Sequence, residues 1–315
     1  MVIGHSGCPK LLSNAIYLFH MPLFFFCSGL FFRELLSKES VGVFLKKKVR
    51  TLYFPFIKWS VFFLLLHNLL LMTGVYNSHY GYEELLGGFW FVRSLFVACL
   101  LIAFVSIILG QDSKYRNGLM CISFLIMTVA LRRFVPDNEL LRELSMGCFG
   151  ALFYLSGYLF KQYERYWQNK YAAITCCLSL LFFLYYFRNG VSMGCGYNKV
   201  IPFYLSGISG TILTLYVSRK MEKWLPMMNR FIYDIGNHTL EILALHFLSF
   251  RLVSFIFACG YGLDVVHVAE HPVIRDISIV PSYWWIVYSF VGIVIPLIIN
   301  KVYCITINSM LWIKQ

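Results

Sequence analysis

The sequence predicts an all-α fold, a polytopic transmembrane helical bundle, and three observations carry that prediction. Hydrophobic residues make up 59% of the chain and charged residues only 13%, against about 25% charged in soluble domains. Apolar runs of membrane-crossing length recur from one end to the other. Most of the basic residues lie between those runs or at their ends. A chain of 315 residues so poor in charge cannot cover a soluble globule with polar surface.

A span needs about 20 predominantly apolar residues. In chain order the runs fall near 15–32, 52–73, 89–109, 118–134, 147–161, 171–188, 200–218, 237–259 and 281–303. The fourth is shortened by Arg132 and Arg133. Placing the loop after the first run in the cytoplasm puts 17 basic residues on that side and 7 on the other, with Lys58, Arg93 and Arg251 inside runs. Basic loops favour the cytoplasm, so the C-terminus is expected there and Met1 outside, in a multi-pass protein of the cell (inner) membrane. Val2–Gly4 is apolar but too short to cross. It reads as the tail of a truncated first span, which gives about nine full spans here and ten in an intact fold with both termini inside. No repeat or linker divides the chain, so residues 1–315 read as a single integral membrane domain.

Several familiar classes are excluded. The net charge of +12 invites nucleic acid, but basic residues interleaved with apolar runs are topology signals. The ten cysteines form no CxxC pair, and most sit in apolar runs as small hydrophobes. Neither a disulfide framework nor a zinc site is expected. His267-Val268-Ala269-Glu270-His271 matches H-x-x-E-H, whose histidines must share a helix face. Pro272 follows at once, in an external loop, so no metal is assigned. Asn237-His238-Thr239 lies at an expected cytoplasmic edge and is not a glycosylation site.

Ionisable residues inside apolar runs are costly and mark function by default. His20 is one, and Pro22 beside it should kink the helix and free a backbone carbonyl; the bland alternative is an imidazole satisfied by a neighbouring helix. Lys58 can snorkel to the cytoplasmic side. Arg93 lies near the outer end of its run, where an acceptor's anionic group or Glu241 could pair with it. Glu241 and His246 share one apolar run but point about 140° apart at 3.6 residues per turn, so they should not pair directly. The cluster Lys46, Lys47, Lys48 and Arg50 serves topology and anionic lipid, and equally suits the phosphates of a nucleotide-type donor.

Phe19-His20-Met21-Pro22-Leu23-Phe24-Phe25-Phe26-Cys27-Ser28-Gly29, preceded by Gly4-His5, resembles the opening signature of the membrane acyltransferase-3 family. Lys46–Pro55 is similar to the basic stretch and proline that open the family's third span. Trp90-Phe91-Val92-Arg93-Ser94-Leu95-Phe96 is similar to its WFLxxLF span, and Gly236–Ile242 with Leu245-His246 to its late GxxSLxIYxxH helix. Members carry an Arg or Lys eleven positions before the first-span histidine, and here that position precedes Met1.

The resemblance implies an integral membrane O-acyltransferase acting on sugars, with acetyl-CoA or another acyl-CoA as donor substrate and no permanently bound cofactor. The bilayer, the acyl-CoA and a carbohydrate acceptor are then the partners. His5 is the expected catalytic residue, as general base or as transient acyl carrier, because an imidazole of pKa about 6.5 can take an alcohol proton at neutral pH. The bland reading of His5 is a polar residue at a helix end. His20 is the second catalytic candidate. Lys46, Lys47, Lys48 and Arg50 become the donor site, and Ser28, Trp90, Arg93, Glu241 and His246 the pocket. The competing readings are a transporter or flippase of envelope glycans, and an inactive truncated member of the family.

Overall fold

The computed structural model describes residues 1–35, 37–72, 90–109, 115–134, 138–194, 197, 199–264, 266–274, 281 and 283–312. Among them every regular element is a helix. In order these are α1 (Val2–His5), α2 (Lys10–Tyr17), α3 (His20–Leu30), α4 (Lys38–Lys48), α5 (Phe54–Leu71), α6 (Trp90–Ile108), α7 (Arg116–Phe134), α8 (Glu139–Gln162), α9 (Glu164–Trp167), α10 (Lys170–Tyr186), α11 (Val200–Trp224), α12 (Pro226–Asn237), α13 (Thr239–Tyr261), α14 (Val266–Glu270) and α15 (Trp284–Trp312).

Among the described residues each expected apolar run is helical over most of its length, and seven helical stretches are long and apolar enough to cross a membrane. The protein is a polytopic helical membrane protein. Leu65, Leu69, Phe104 and Ile256 are exposed on these helices, and Leu178 and Phe182 on the shorter apolar helix α10, as lipid-facing side chains are in a bundle whose solvent is hydrocarbon.

The first run departs from expectation in one respect. It is not a single helix bent at Pro22 but two, α2 and α3, with the break at Leu18 and Phe19. Pro22 is the third residue of α3, where a missing N–H leaves no intrahelical bond unmade. The carbonyl it cannot reach is that of Leu18, and Ser206 Oγ of α11 lies 3.4 Å from that oxygen. A second proline acts similarly. Pro55 cannot donate to the Thr51 carbonyl, and a π-helical turn over Val49–Tyr53 takes up the slack, with Phe54 N–H bonded to Val49 O. α4 ahead of that turn is fixed by a reciprocal Ser37–Ser40 cap. Lys46–Lys48 fill its last turn, where cations complement the helix dipole.

The chain divides into two compact units. One comprises Met1–Ser13, Ile57–Gly88 and Trp224–Gln315; the other comprises Asn14–Phe56 and Phe89–Lys223. In the first, α13 packs on α15, and α1 lies against α15. In the second, α8 is the central helix, with α3, α6 and α7 around it. Ser145–Leu155 of α8 is buried without interruption, and Phe25, Phe149, Phe153, Tyr154, Tyr197 and Phe203 fill the core.

Contact between α3 and α8 rests on two glycines. A Cβ on Gly29 would stand 1.8 Å from the Tyr154 carbonyl oxygen, and one on Gly157 would stand 2.0 Å from that of Phe26. Lipid tails are as apolar as leucine, so close backbone approach at small residues drives helix association in a membrane.

Candidate functional site

In the first unit the four-residue α1 ends at His5. Its neighbour Ser6 bonds the Ile3 carbonyl, and the Ser6 hydroxyl lies 2.9 Å from that of Ser289 on α15. These bonds tie α1 to the span beside it. His5 is half-buried, and its ring centroid lies 5.5 Å from that of His246 on α13 and 5.2 Å from Phe247. His246 is fully buried, flanked by Phe247 at 4.2 Å and by Phe250 edge-on at 5.5 Å.

The protonation pattern of His246 follows from its partners. Nδ1 lies 3.0 Å from the Ile242 carbonyl oxygen and 2.9 Å from that of Leu243. Carbonyls only accept, so Nδ1 carries the proton and Nε2 holds the lone pair. Nε2 is buried with no hydrogen-bond partner among the described residues. A buried basic nitrogen beside a second imidazole is an arrangement that can accept a proton.

His20, in the second unit, is set up alike. Its Nδ1 lies 3.0 Å from the Ile16 carbonyl at the end of α2, and Tyr17 meets its ring edge-on at 4.9 Å. The imidazole thereby bridges the break in the first span and again keeps its lone pair on Nε2.

Arg93 is paired with Glu143 through two parallel bonds, Nε to Oε2 at 2.9 Å and a second from Nη2 to Oε1. Glu241 instead stands 4.0 Å from Nδ1 of His238, and Asn300 Nδ2 lies 2.9 Å from that same nitrogen. Glu241 and His246 thus have separate surroundings on α13. Trp90 lies over Gly194, where a Cβ would come within 2.8 Å of the indole. The Ser28 hydroxyl donates to the Phe24 carbonyl one turn back.

The basic cluster divides. Lys46, Lys47 and Arg50 are exposed, whereas Lys48 turns inward with Nζ 5.4 Å from the Phe44 ring and 5.3 Å from that of Tyr154. Of the two histidines in the H-x-x-E-H segment only His267 lies within the one-turn α14; His271 follows its end, with Nδ1 taking the Val273 N–H at 3.2 Å. Among the described residues no three His, Cys, Asp or Glu side chains converge as metal ligands do.

A family model described as an acyltransferase domain, the acyltransferase-3 model, matches residues 2–301. The chain belongs to that family. It is a multi-pass membrane acyltransferase, transferring groups other than amino-acyl groups. No curated protein and no solved structure matches the chain.

Two groupings were not apparent from the acyltransferase's sequence. Glu143 could have been sought, because an arginine at the edge of a span calls for an acid. The other gathers residues far apart in the chain. Glu34 Oε1 accepts from Asn117 Nδ2 at 2.8 Å and from Tyr158 Oη at 2.7 Å, and its Oε2 lies 3.6 Å from buried Arg116. These bonds hold the Glu34 carboxyl below its ordinary pKa, the Tyr158 bond most strongly, then the Asn117 bond and the Arg116 charge.

Proposed function

We propose that this membrane acyltransferase moves an acetyl group from cytoplasmic acetyl-CoA to a hydroxyl of a cell-surface polysaccharide or its lipid-linked precursor. The observation that carries the reading is the His5–His246 pair, one imidazole half-buried and the other holding its lone pair on a buried Nε2. An alcohol is a poor nucleophile until its proton is being removed. His5 takes that proton as the sugar oxygen attacks the thioester carbonyl carbon, with the Nε2 lone pair of neutral His246 beside it. A new C–O bond forms, the C–S bond breaks, and coenzyme A leaves as a thiolate that recovers the proton. A route through a transient acyl-imidazole on His5 uses the same residues.

Lys46, Lys47 and Arg50, exposed on one helix and its π turn, suit the donor's phosphates. In this orientation they and the C-terminus face the cytoplasm of a cell (inner) membrane. Membranes carrying the protein, given labelled acetyl-CoA and isolated envelope glycan, should place label on the glycan. Glycan crossing the membrane without acquiring label would instead support a flippase.

A further inference from the structure

The joint between spans α11 and α13 holds a helix of its own, α12. At 3.6 residues per turn, Met227, Phe231, Ile235, Met228 and Ile232 share one arc of about 140°, and Asn229, Tyr233, Asn237 and Arg230 lie on the other side, with Asp234 at the border next to Met227. Ile235 alone of these five packs against the core that α13 and α15 share. Met227 is 96% exposed, and Met228, Phe231 and Ile232 are exposed as well. Twelve residues are too few to cross a bilayer, and a joint standing in water gains nothing from such a face.

The surroundings say what covers it. His238, directly after α12, meets Asn300 of α15, so the end of α12 lies level with Asn300–Tyr303. Lys301 and Tyr303 are exposed there. Lys58 of α5 places its Nζ 4.7 Å from the centroid of the Tyr303 ring and 5.1 Å from that of Trp59. Lysines beside Trp and Tyr at a span end mark the headgroup level of a bilayer. Arg230 adds a third cation on the polar side of α12. The acids on the same elements are Asp234 and Glu241, the latter beside His238.

We propose that α12 lies in the headgroup plane, its Met227, Met228, Phe231 and Ile232 face sunk toward the acyl chains, and that Lys58, Arg230 and Lys301 bind anionic phospholipid around it. An exposed apolar face on a short helix at a span end suits the acyl-chain boundary, and the cations complement an anionic leaflet. The claim concerns the bilayer and stands apart from the acyl chemistry.

The test uses the whole chain, one copy per nanodisc, in phosphatidylcholine with and without phosphatidylglycerol. Cysteine is introduced as Met227→Cys or Asn237→Cys, and modification by a charged maleimide is read peptide by peptide. Met227→Cys should react about tenfold more slowly than Asn237→Cys, as expected of a helix half sunk in the interface. Equal rates, fast or slow, would overturn the placement. In a second arm, native mass spectrometry follows phosphatidylglycerol retained by the protein and by Lys58→Gln, Arg230→Gln and Lys301→Gln variants. Retention should fall about fivefold per charge removed, with the Met227 protection kept. Retention equal to that of the parent would overturn the assignment of anionic lipid.

Discussion

Nδ1 of His246 lies 3.0 Å from the carbonyl oxygen of Ile242, one turn back on the same helix. That bond fixes the tautomer and leaves the lone pair on Nε2, the nitrogen we propose takes part in proton transfer. His246→Asn keeps an N–H for the carbonyl and removes the lone pair. Acyl transfer should fall about 10²-fold or more, with membrane abundance close to the parent's. Turnover measured per quantity of inserted protein checks this, and unchanged turnover would leave His246 a packing residue.

The divided basic cluster predicts divided effects. Lys46→Gln, Lys47→Gln and Arg50→Gln, in pairs, should raise the donor KM more than the acceptor KM. The contribution of these residues should weaken with salt, because exposed charges are screened over about 8 Å at physiological ionic strength. Lys48→Gln should chiefly lower thermal stability, by about 0.5–2 kcal/mol for the lost cation–π contacts with Phe44 and Tyr154. Donor-dependence curves and melting curves on correctly inserted protein separate the two.

How far the sequence could be read is clear from particular residues. The nine apolar runs announced their helices because runs of about 15–23 mostly apolar residues with few charges have few alternatives. The consequence of Pro22 was legible as a freed carbonyl, but the break fell at Leu18 and Phe19, because a proline early in a helix is tolerated and the strain moves ahead of it. α12 went unforeseen, as its alternating face lies outside any long apolar run. In the candidate site His5 and His246 were both legible as residues, whereas their approach across more than 240 positions was not. Arg93 was visible as a cation needing a partner; that the partner is Glu143 rather than Glu241 depends on which helices pack together.

Glu34 predicts a pH dependence. Its carboxyl lies below the ordinary value of 4.5 in the folded protein because Tyr158, Asn117 and Arg116 favour the charged form. Stability from this carboxylate is fully present above the unfolded pKa and is lost as pH falls through the lower folded pKa. Glu34→Gln should remove part of the fall in melting temperature below about pH 4.5, and Tyr158→Phe, deleting the strongest influence, should shrink it. Melting curves in detergent across that range test both; an acid limb identical in all three proteins would contradict the assignment.

Gly157 predicts a packing effect. Gly157→Leu puts a side chain where Phe26 offers only backbone at 2.0 Å, so α3 and α8 must separate. Overpacking of this kind costs about 1–3 kcal/mol or more. The variant should accumulate poorly and melt early. Replacement of exposed Gly118, around which nothing lies within 4 Å, should do neither.

The central claim is that His5 removes the acceptor's proton, with His246 beside it. The most direct measurement is transfer of labelled acetyl from acetyl-CoA to envelope glycan by the purified protein in nanodiscs, parent against His5→Ala. The parent should transfer, and the variant should lose about 10²–10⁴-fold while inserting normally. A His5→Ala protein as active as the parent would contradict the account and move the chemistry to His20.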